Sequence, residues 1–367
     1  MPTGVVALLG SGETAPGMTK VHRDLLARLD PVRAVTLDTA YGFQENVPQM
    51  TEKLVGYFAE SLLTPLEPLH LPSYDGASPV QRELVKRDVA AATYVFAGPG
   101  SPSWALAQWT PLGLADDLLA VLASGGTLCF ASAAALTLGA FTAPIYELYK
   151  VGVAEPYWLA GLDVMGRIGL DCAVIPHFDN REGQNYDTRY CYLGERRLLE
   201  LERQLPAAVA TLGVDEHTAA IIDLGAATIT VRGRGHAYWR RDGGVVVMTS
   251  QRATPFSELG ASRVDAGPTP APAARAEPVD DLDDLSRRVL DGGDSAVGAL
   301  ADLVARARVG RPGLVDPEPL VASLLALRAE ARSRGDFTTA DAVRDALTDG
   351  GVEIRDSPDG TSWELAD

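Results

Sequence analysis

The chain has 367 residues, of which 46% are hydrophobic, and a formal net charge of −17. This length predicts one large domain with one or two small ones. No apolar run reaches the roughly 18 residues that a membrane-spanning helix needs, and such an acidic surface repels phosphate backbones, so the composition argues against a membrane protein and against general nucleic-acid binding.

The N-terminus and the cysteines indicate the compartment. Residues 1–4 carry no basic group, and the apolar run that follows has only the length of a strand, which argues against a signal peptide. Cys129, Cys172 and Cys191 form no CxxC pair, and this odd, scattered set argues against a disulfide framework or a zinc site. We therefore expect a cytoplasmic protein without a metal.

Short apolar runs alternate with helical patterns over the first 250 residues. Strands are predicted at 5–9, 33–39, 94–97, 127–130 and 172–176, and helices at 47–63 and 112–122. This alternation predicts a mostly parallel sheet covered by helices on both faces. Further strand-like runs at 219–223, 228–231 and 245–249 are joined by short glycine-containing turns, which predicts an antiparallel extension at the sheet edge.

The composition changes after residue 255. Residues 256–280 are rich in Pro and Ala and indicate a linker, and 281–315 are expected to be helical without an assigned role. Residues 316–367 indicate a small separate module, in which two apolar helical stripes, a break at Gly335 and a strand–turn–strand pattern predict a helical hairpin and a ribbon. The remaining domain, 1–255, is the predicted α/β domain.

A serine directly follows the predicted strand at 127–130. The strand continues into Ala131, Ser132 and Ala133, and a helix-forming stretch comes next. A nucleophile elbow has this layout, because a sharp turn with small neighbours lifts the nucleophile above the sheet edge. The flanking residues are Ala rather than Gly, so the local sequence alone favours a small residue that merely starts a buried helix.

A serine nucleophile needs a base and the base needs a carboxylate. Among the five histidines, His177 is the best candidate because it ends an apolar strand, at the edge where open parallel sheets bind ligands. Asp215 and Glu216 open a later strand, and either can reach the site; Glu147 and Asp179 are weaker candidates. The alternative interpretations are a loop histidine without a role and a solvated acidic turn.

A glycine-rich turn supplies the last element of this hypothesis. Gly98 and Gly100 lie between a strand and a predicted helix, and backbone N–H groups there can pair with that of Ala133 to form an oxyanion hole. Neither this turn nor a similar one at Gly10 has the full G-x-G-x-x-G spacing or a Walker lysine. We therefore expect no nucleotide cofactor.

In order and spacing, these residues resemble the dipeptidase E and cyanophycinase family of serine peptidases (peptidase family S51). The matching stretches are Leu9–Glu13, Asp38–Phe43, Gly98–Gly100, the Ser132 turn, Pro176–Phe178 and Gly213–Ala219. The resemblance implies a flavodoxin-like, three-layer fold of the class I glutamine amidotransferase type. It also implies Ser132 as nucleophile, His177 as base, Glu216 as its acidic partner and Gly98 or Gly100 in the oxyanion hole.

The resemblance further implies hydrolysis of peptide bonds next to aspartyl residues, without a metal. Arg181 and Arg189 follow His177, and we expect them to pair with an acidic group of a small peptide substrate. The family turn reads Ser-Ala-Gly, whereas Ala134 here adds a methyl group. The alternative is therefore a catalytically inactive α/β binding module with a partner-docking tail. A glutaminase is disfavoured because its chemistry needs a cysteine where the chain has Ser132.

The C-terminal module resembles the C-terminal appendage of cysteinyl-tRNA synthetases. The matching stretches are Arg328–Arg332, Asp336–Phe337, Ala340–Leu347 and Asp356–Trp363. Between Asp316 and Asp367 there are 12 acidic and five basic residues, a net charge of −7, which argues against tRNA binding. We expect a packing or partner-docking module, with tRNA contact conceivable only through this tail; the sequence leaves a homodimer open.

Overall fold

The computed structural model describes residues 3–153, 155–183 and 185–260, separate helical positions between 325 and 347, and the strands at 352–357 and 360–365. The chain divides into two compact units. The first comprises Met1–Tyr74 and Asp88–Thr269, and the second comprises Asp75–Arg87 and Pro270–Asp367. The predicted linker beyond residue 260 and the predicted helical segment 281–315 lie outside the described residues.

Fourteen strands are described in the first unit. In chain order they are β1 (Val5–Leu9), β2 (Ala34–Leu37), β3 (Leu66–Leu69), β4 (Tyr94–Ala97), β5 (Thr127–Ala131), β6 (Phe141–Thr142), β7 (Leu159–Ala160), β8 (Cys172–Ile175), β9 (Ala210–Val214), β10 (Thr218–Asp223), β11 (Thr228–Gly233), β12 (Ala237–Arg241), β13 (Gly244–Met248) and β14 (Thr254–Pro255).

Helices connect these strands. They are α1 (Pro16–Leu26), α2 (Val47–Tyr57), α3 (Pro79–Ala91, which begins in the second unit), α4 (Pro102–Leu112), α5 (Leu114–Ala123), α6 (Ala133–Thr137), α7 (Val164–Arg167) and α8 (Gly194–Gln204). Two π-helical turns, Phe58–Leu62 and Glu147–Val151, and two 3₁₀ turns, Thr39–Tyr41 and Phe256–Leu259, complete the set. Phe256 and Leu259 are buried, so the first residues of the predicted linker belong to the folded first unit.

An eight-stranded sheet forms the centre of the first unit, with the order β14-β11-β10-β1-β5-β4-β2-β3. Strands β1 to β5 run parallel to one another, and β10, β11 and β14 continue the sheet antiparallel beyond β1. The five parallel strands are buried almost throughout because helices cover such sheets on both faces. The predicted α/β architecture with an antiparallel extension is confirmed for the runs at 219–223 and 228–231, whereas the run predicted at 245–249 forms β13, which belongs to a different sheet because it pairs with β12.

A second sheet holds four strands in the order β13-β12-β9-β8. The prediction that the strand before His177 belongs to the main parallel sheet is wrong, because β8 pairs with β9 in this second sheet. The chain crosses between the two sheets from β9 to β10, and the turn between them contains His217 with a φ of 51°. The site residues of this turn therefore lie where the two sheets meet.

One core cluster packs α1 and the π-helical turn at Phe58 against the parallel strands. His22 is fully buried in this region. Its Nδ1 lies 2.7 Å from the Tyr94 hydroxyl and its Nε2 lies 2.8 Å from the Glu13 carbonyl oxygen. A carbonyl oxygen only accepts, so Nε2–H donates and Nδ1 accepts from the tyrosine. Burial lowers the pKa of His22 from 6.5 to about 4.

We expect the first unit to lose stability as the pH falls from about 6.5 to about 4. Within that window the unfolded chain binds a proton at His22 and the folded chain does not, so acid favours unfolding. The loss is about 3 kcal/mol, since each pKa unit corresponds to about 1.36 kcal/mol. Urea unfolding followed by the fluorescence of buried Trp109 and Trp239 measures it. His22→Gln should flatten this pH dependence; an unchanged dependence contradicts the assignment.

The C-terminal part of the second unit contains helical positions followed by a ribbon. Gly335 has a φ of 78° and lies in a turn between helical positions. The buried apolar residues of this part include Ala331, Ala340, Val343 and Leu347. Strands β15 (Val352–Ser357) and β16 (Gly360–Leu365) pair antiparallel. The helical positions and the ribbon lie where the sequence predicts two helical stripes and a strand–turn–strand pattern, and the first stripe is described only in part, because residues 320–324, 326 and 327 lie outside the described residues.

Within the described ranges, no helix combines the length and the apolar character that crossing a bilayer requires.

Candidate active site

Ser132 occupies the turn between β5 and α6. Its φ of 51° and ψ of −124° lie in a region that L-residues rarely adopt, and its N–H donates to the Leu9 carbonyl oxygen at 3.1 Å. Ala133 and Ala134 are buried beside it, and the Ala134 N–H donates to the Gly98 carbonyl oxygen at 3.3 Å. The extra methyl group of Ala134 is therefore accommodated inside a formed, strained strand-to-helix turn.

Three side chains from three separate parts of the sequence form a chain of hydrogen bonds at this turn. Ser132 Oγ lies 2.9 Å from His177 Nε2, and His177 Nδ1 lies 2.7 Å from Glu216 Oε1. An ionised carboxylate only accepts hydrogen bonds, so Nδ1–H donates to Glu216 and Nε2 is left to accept from the serine hydroxyl. This tautomer is the one that a general base next to a serine requires.

Glu216 is held as a carboxylate. Its hydrogen bond with His177 lowers its pKa, and a second bond from Asn180 Nδ2 to Oε1 at 3.0 Å adds to this, against the opposing effect of burial. Asn180 is almost fully buried. Asn180 was not predicted as a site residue, and its only signal in the sequence is the run of polar residues that follows His177.

The other acidic candidates have different partners. Asp215 accepts from the His236 N–H at 2.8 Å and from the Tyr238 hydroxyl at 3.2 Å, and burial raises its pKa. Asp179 accepts the backbone N–H of Glu216 at 2.7 Å, while Glu147 accepts from the Ser103 hydroxyl at 2.6 Å. Of the two carboxylates that the sequence left open, Glu216 is the one that contacts His177.

A left-handed turn lies against His177. Tyr190, Cys191 and Tyr192 have φ values of 60°, 56° and 66°, and this conformation costs about 1–2 kcal/mol per residue. The N–H of Cys191 donates to the His177 carbonyl oxygen at 3.1 Å, and that of Tyr190 donates to the Phe178 carbonyl oxygen at 3.0 Å. These bonds place the Tyr192 ring 6.1 Å from the His177 ring.

A pocket of about 440 Å³ opens at this site. Ser132, His177, Gly100 and Ala133 line it, together with apolar and tyrosine side chains. Gly100 has a φ of 151°, and a Cβ there would lie 1.9 Å from the Ala40 carbonyl oxygen, so only glycine fits. Of the two glycines predicted for an oxyanion hole, Gly100 lines the pocket. Gly98 does not, and its carbonyl oxygen accepts the hydrogen bond from the Ala134 N–H.

The predicted arginines lie elsewhere. Arg189 binds Asp187 at 2.8 Å and Glu195 at 3.0 Å, which occupies its guanidinium, and Arg181 is exposed outside the pocket lining. The expectation that they contact a substrate in this pocket is therefore not supported by their positions. Lys150 is the one lysine or arginine among the described residues that line the pocket. Lys150 was not predicted as a site residue, because it lies 27 residues before His177 in the sequence.

A larger cavity of about 510 Å³ lies beside α8 and β12. None of Ser132, His177 and Glu216 lines it, and its Arg240 is paired with Glu202 at 2.7 Å. The hydrogen-bonded side chains, rather than cavity size, identify the smaller pocket as the candidate site. Among the described residues there is no group of three or more His, Cys, Asp and Glu side chains arranged to hold a metal ion.

Comparison with known proteins identifies the tail by sequence. Residues 316–363 match the family described as the cysteinyl-tRNA ligase anticodon binding domain, as the resemblance predicted. Cysteine–tRNA ligases that match include those of Bifidobacterium longum, 52% identical over 48 residues, and Cutibacterium acnes, 53% identical over 47 residues. A third, from Micrococcus luteus, is 37% identical over 86 residues. These matches cover 13% to 23% of this chain and 9% to 14% of the ligases.

Comparison of structures concerns the larger part of the chain. A crystal structure of a peptidase from an acI-B1 Actinobacterium superposes with a TM-score of 0.55 at 21% identity, and the match covers 70% of this chain and 98% of that one. A structure of a putative peptidase E protein from Listeria monocytogenes EGD-e matches with a TM-score of 0.40 and 14% identity, over 66% and 97% of the two chains. The chain therefore combines the fold of a solved peptidase with a tail that matches the cysteinyl-tRNA ligase anticodon binding domain.

Proposed function

We propose that this chain is a serine-type peptidase of the dipeptidase E and cyanophycinase kind, which cleaves small aspartyl-containing peptides. The observation that carries the proposal is the continuous hydrogen-bonded chain from Ser132 through His177 to Glu216, with separations of 2.9 Å and 2.7 Å. The strained backbone of Ser132 supports it, because strain of this kind gathers at functional sites.

The reaction follows from the positions of the groups. His177 Nε2 takes the proton of Ser132 as Oγ attacks the scissile carbonyl carbon, and the backbone N–H groups of Gly100 and Ala133 stabilise the oxyanion. His177 then gives this proton to the leaving amine, which leaves an acyl-enzyme. A water molecule, deprotonated by the same imidazole, then attacks the acyl carbon, and His177 returns this proton to Ser132 Oγ as the acyl-enzyme bond breaks. Glu216 stabilises the imidazolium in both halves of the reaction.

Lys150 is the residue that we expect to bind the acidic group of the substrate. Its ammonium group lies 4.9 Å from the centre of the Tyr149 ring, and the side chain is exposed in the pocket. A substrate carboxylate in the pocket can pair with this cation, whereas neither predicted arginine is among the residues that line the pocket. The pocket volume falls within the range of about 300–1,000 Å³ that small-ligand sites occupy, which fits a short peptide.

A fluorophosphonate probe tests the proposal without knowledge of the substrate. We expect one covalent adduct on the full-length chain, mapped by peptide mass spectrometry to Ser132, because only a serine next to a base becomes nucleophilic. Aspartyl dipeptides should slow the labelling, and His177→Ala should abolish it. Labelling that maps to another serine, or that persists without His177, contradicts the proposal.

The second candidate is an inactive α/β binding module whose tail docks a partner. The match of residues 316–363 to an anticodon-binding domain favours it, and tRNA is then the partner to test, although a net charge of −7 over 316–367 opposes tRNA binding. The same experiment separates the two candidates. An unlabelled chain that leaves aspartyl peptides intact but retains tRNA or a protein partner supports the binding module.

A further inference from the structure

Three tyrosines form a continuous row of rings from the catalytic base to the mouth of the pocket. The ring centres of His177 and Tyr192 are 6.1 Å apart, those of Tyr192 and Tyr149 are 5.0 Å apart, and those of Tyr149 and Tyr186 are 6.3 Å apart. All three tyrosines line the pocket. We call Tyr192, Tyr149 and Tyr186 the tyrosine row.

Hydrogen bonds fix the tyrosine row from both sides of the pocket. The Tyr149 and Tyr186 hydroxyl oxygens are 2.5 Å apart, and the Tyr192 hydroxyl donates to Glu182 Oε2 at 2.7 Å. Tyr149 stands on the π-helical turn Glu147–Val151, whereas the other two tyrosines precede α8. Two distant segments of the chain are therefore joined by these rings, and the rings are held in place before any ligand arrives.

The outermost ring of the row, Tyr186, keeps much of its surface in water, whereas Tyr149 and Tyr192 are half-buried. Tyr186 is 59% exposed, whereas Tyr94, a structural tyrosine of the core, is fully buried. A ring that served only to pack would gain stability by burial. Rigid tyrosine rings that are pre-positioned and exposed are instead the residues that most often carry binding energy at recognition surfaces.

We propose that the tyrosine row is a substrate subsite that binds a planar aromatic side chain of the peptide, within three residues of the scissile bond. This inference rests on the proposed hydrolase function for the position of the scissile bond. Three steps of 6.1 Å, 5.0 Å and 6.3 Å lead along the row from the His177 ring to the Tyr186 ring. A substrate ring stacked on Tyr186 lies about 4.5–7 Å from it on the side of the base, and an extended peptide advances about 3.3 Å per residue, so about three residues span the remaining distance. The side chain stacks on Tyr186 at the mouth while the acidic group of the peptide pairs with Lys150.

Two series of peptides test the subsite by binding and by turnover. Each series carries Phe, cyclohexylalanine or Leu two residues from an aspartate, on its amino side in one series and on its carboxyl side in the other. Calorimetric binding to the full-length Ser132→Ala chain gives affinities without hydrolysis. In one of the two series, the one whose variable residue lies on the side of the tyrosine row, we expect the Phe peptide to bind about threefold to tenfold more tightly than the cyclohexylalanine peptide, because of the additional energy of aromatic pairs.

Variants of Tyr186 identify the source of this preference. Tyr186→Phe keeps the ring and should keep the preference, whereas Tyr186→Ala and Tyr186→Leu should bring the Phe-to-cyclohexylalanine ratio close to one. Tyr157→Ala is the matched control, because Tyr157 is 38% exposed but does not line the pocket, and it should leave the ratio unchanged. A ratio near one in the Ser132→Ala parent, or a preference that survives Tyr186→Ala, overturns the subsite.

The two proposals fail in different ways. Tyr186-dependent binding of Phe peptides without cleavage by the wild-type chain removes the hydrolase and leaves the subsite. Cleavage of aspartyl peptides by the wild-type chain with no preference for Phe over cyclohexylalanine removes the subsite and leaves the hydrolase.

Discussion

Ser132→Ala should lower kcat on aspartyl peptides by a factor of about 10⁴ to 10⁶, the range seen when a nucleophile of a triad is removed. The hydroxyl lies 2.9 Å from His177 Nε2, and among the described residues no other hydroxyl is given a hydrogen bond to that nitrogen. The fold should persist, because alanine removes one oxygen and leaves the buried surroundings of the turn unchanged. Steady-state kinetics and circular dichroism on the same preparation measure both effects.

Ser103→Ala is the matched control for this result. Its hydroxyl is also near the pocket but donates to Glu147, so its loss should leave kcat within about threefold, as expected for an interaction that the transition state does not use. Substantial turnover by folded Ser132→Ala would end the serine mechanism.

Glu216→Gln should lower kcat by about 10⁴, although it is nearly isosteric. The glutamine amide can donate to Nδ1, which shifts the ring proton to Nε2, and an Nε2–H group cannot accept the proton of Ser132. The change also removes the negative charge that stabilises the imidazolium. Kinetics on aspartyl peptides, together with the rate of fluorophosphonate labelling, report the loss at the step that uses the base.

Asp215→Asn is the control for Glu216→Gln. Asp215 is adjacent in sequence, but its carboxylate contacts the His236 N–H and the Tyr238 hydroxyl rather than His177. Both bonds go to Oδ2, and an asparagine oxygen in that position can accept both. We therefore expect kcat to change by less than about tenfold, the effect of weakening one hydrogen bond worth about 1 kcal/mol. If Asp215→Asn is the more damaging of the two, Glu216 is not the acid of the site.

Features that depend on local pattern could be predicted from the sequence. Apolar runs bounded by glycine turns marked β1, β4 and β5 within a residue of their ends, because a strand buried on both faces must be apolar throughout. Polar residues at strand ends pointed to Ser132 and His177, since the ends of buried strands are where side chains leave the core. The tail was identifiable because its residues match a known family closely.

Which of these residues contact one another depends on the folding of the whole chain. The second sheet and the choice of Glu216 over Asp215 depend on the crossing between β9 and β10, which is set by strand pairing far away in the sequence. The same holds for Asn180, whose amide reaches Glu216 36 residues later, and for the tyrosine row, which joins segments 37 residues apart. Long-range contacts follow from how buried surfaces pack together, and the periodicity of the sequence does not indicate which surfaces will pack.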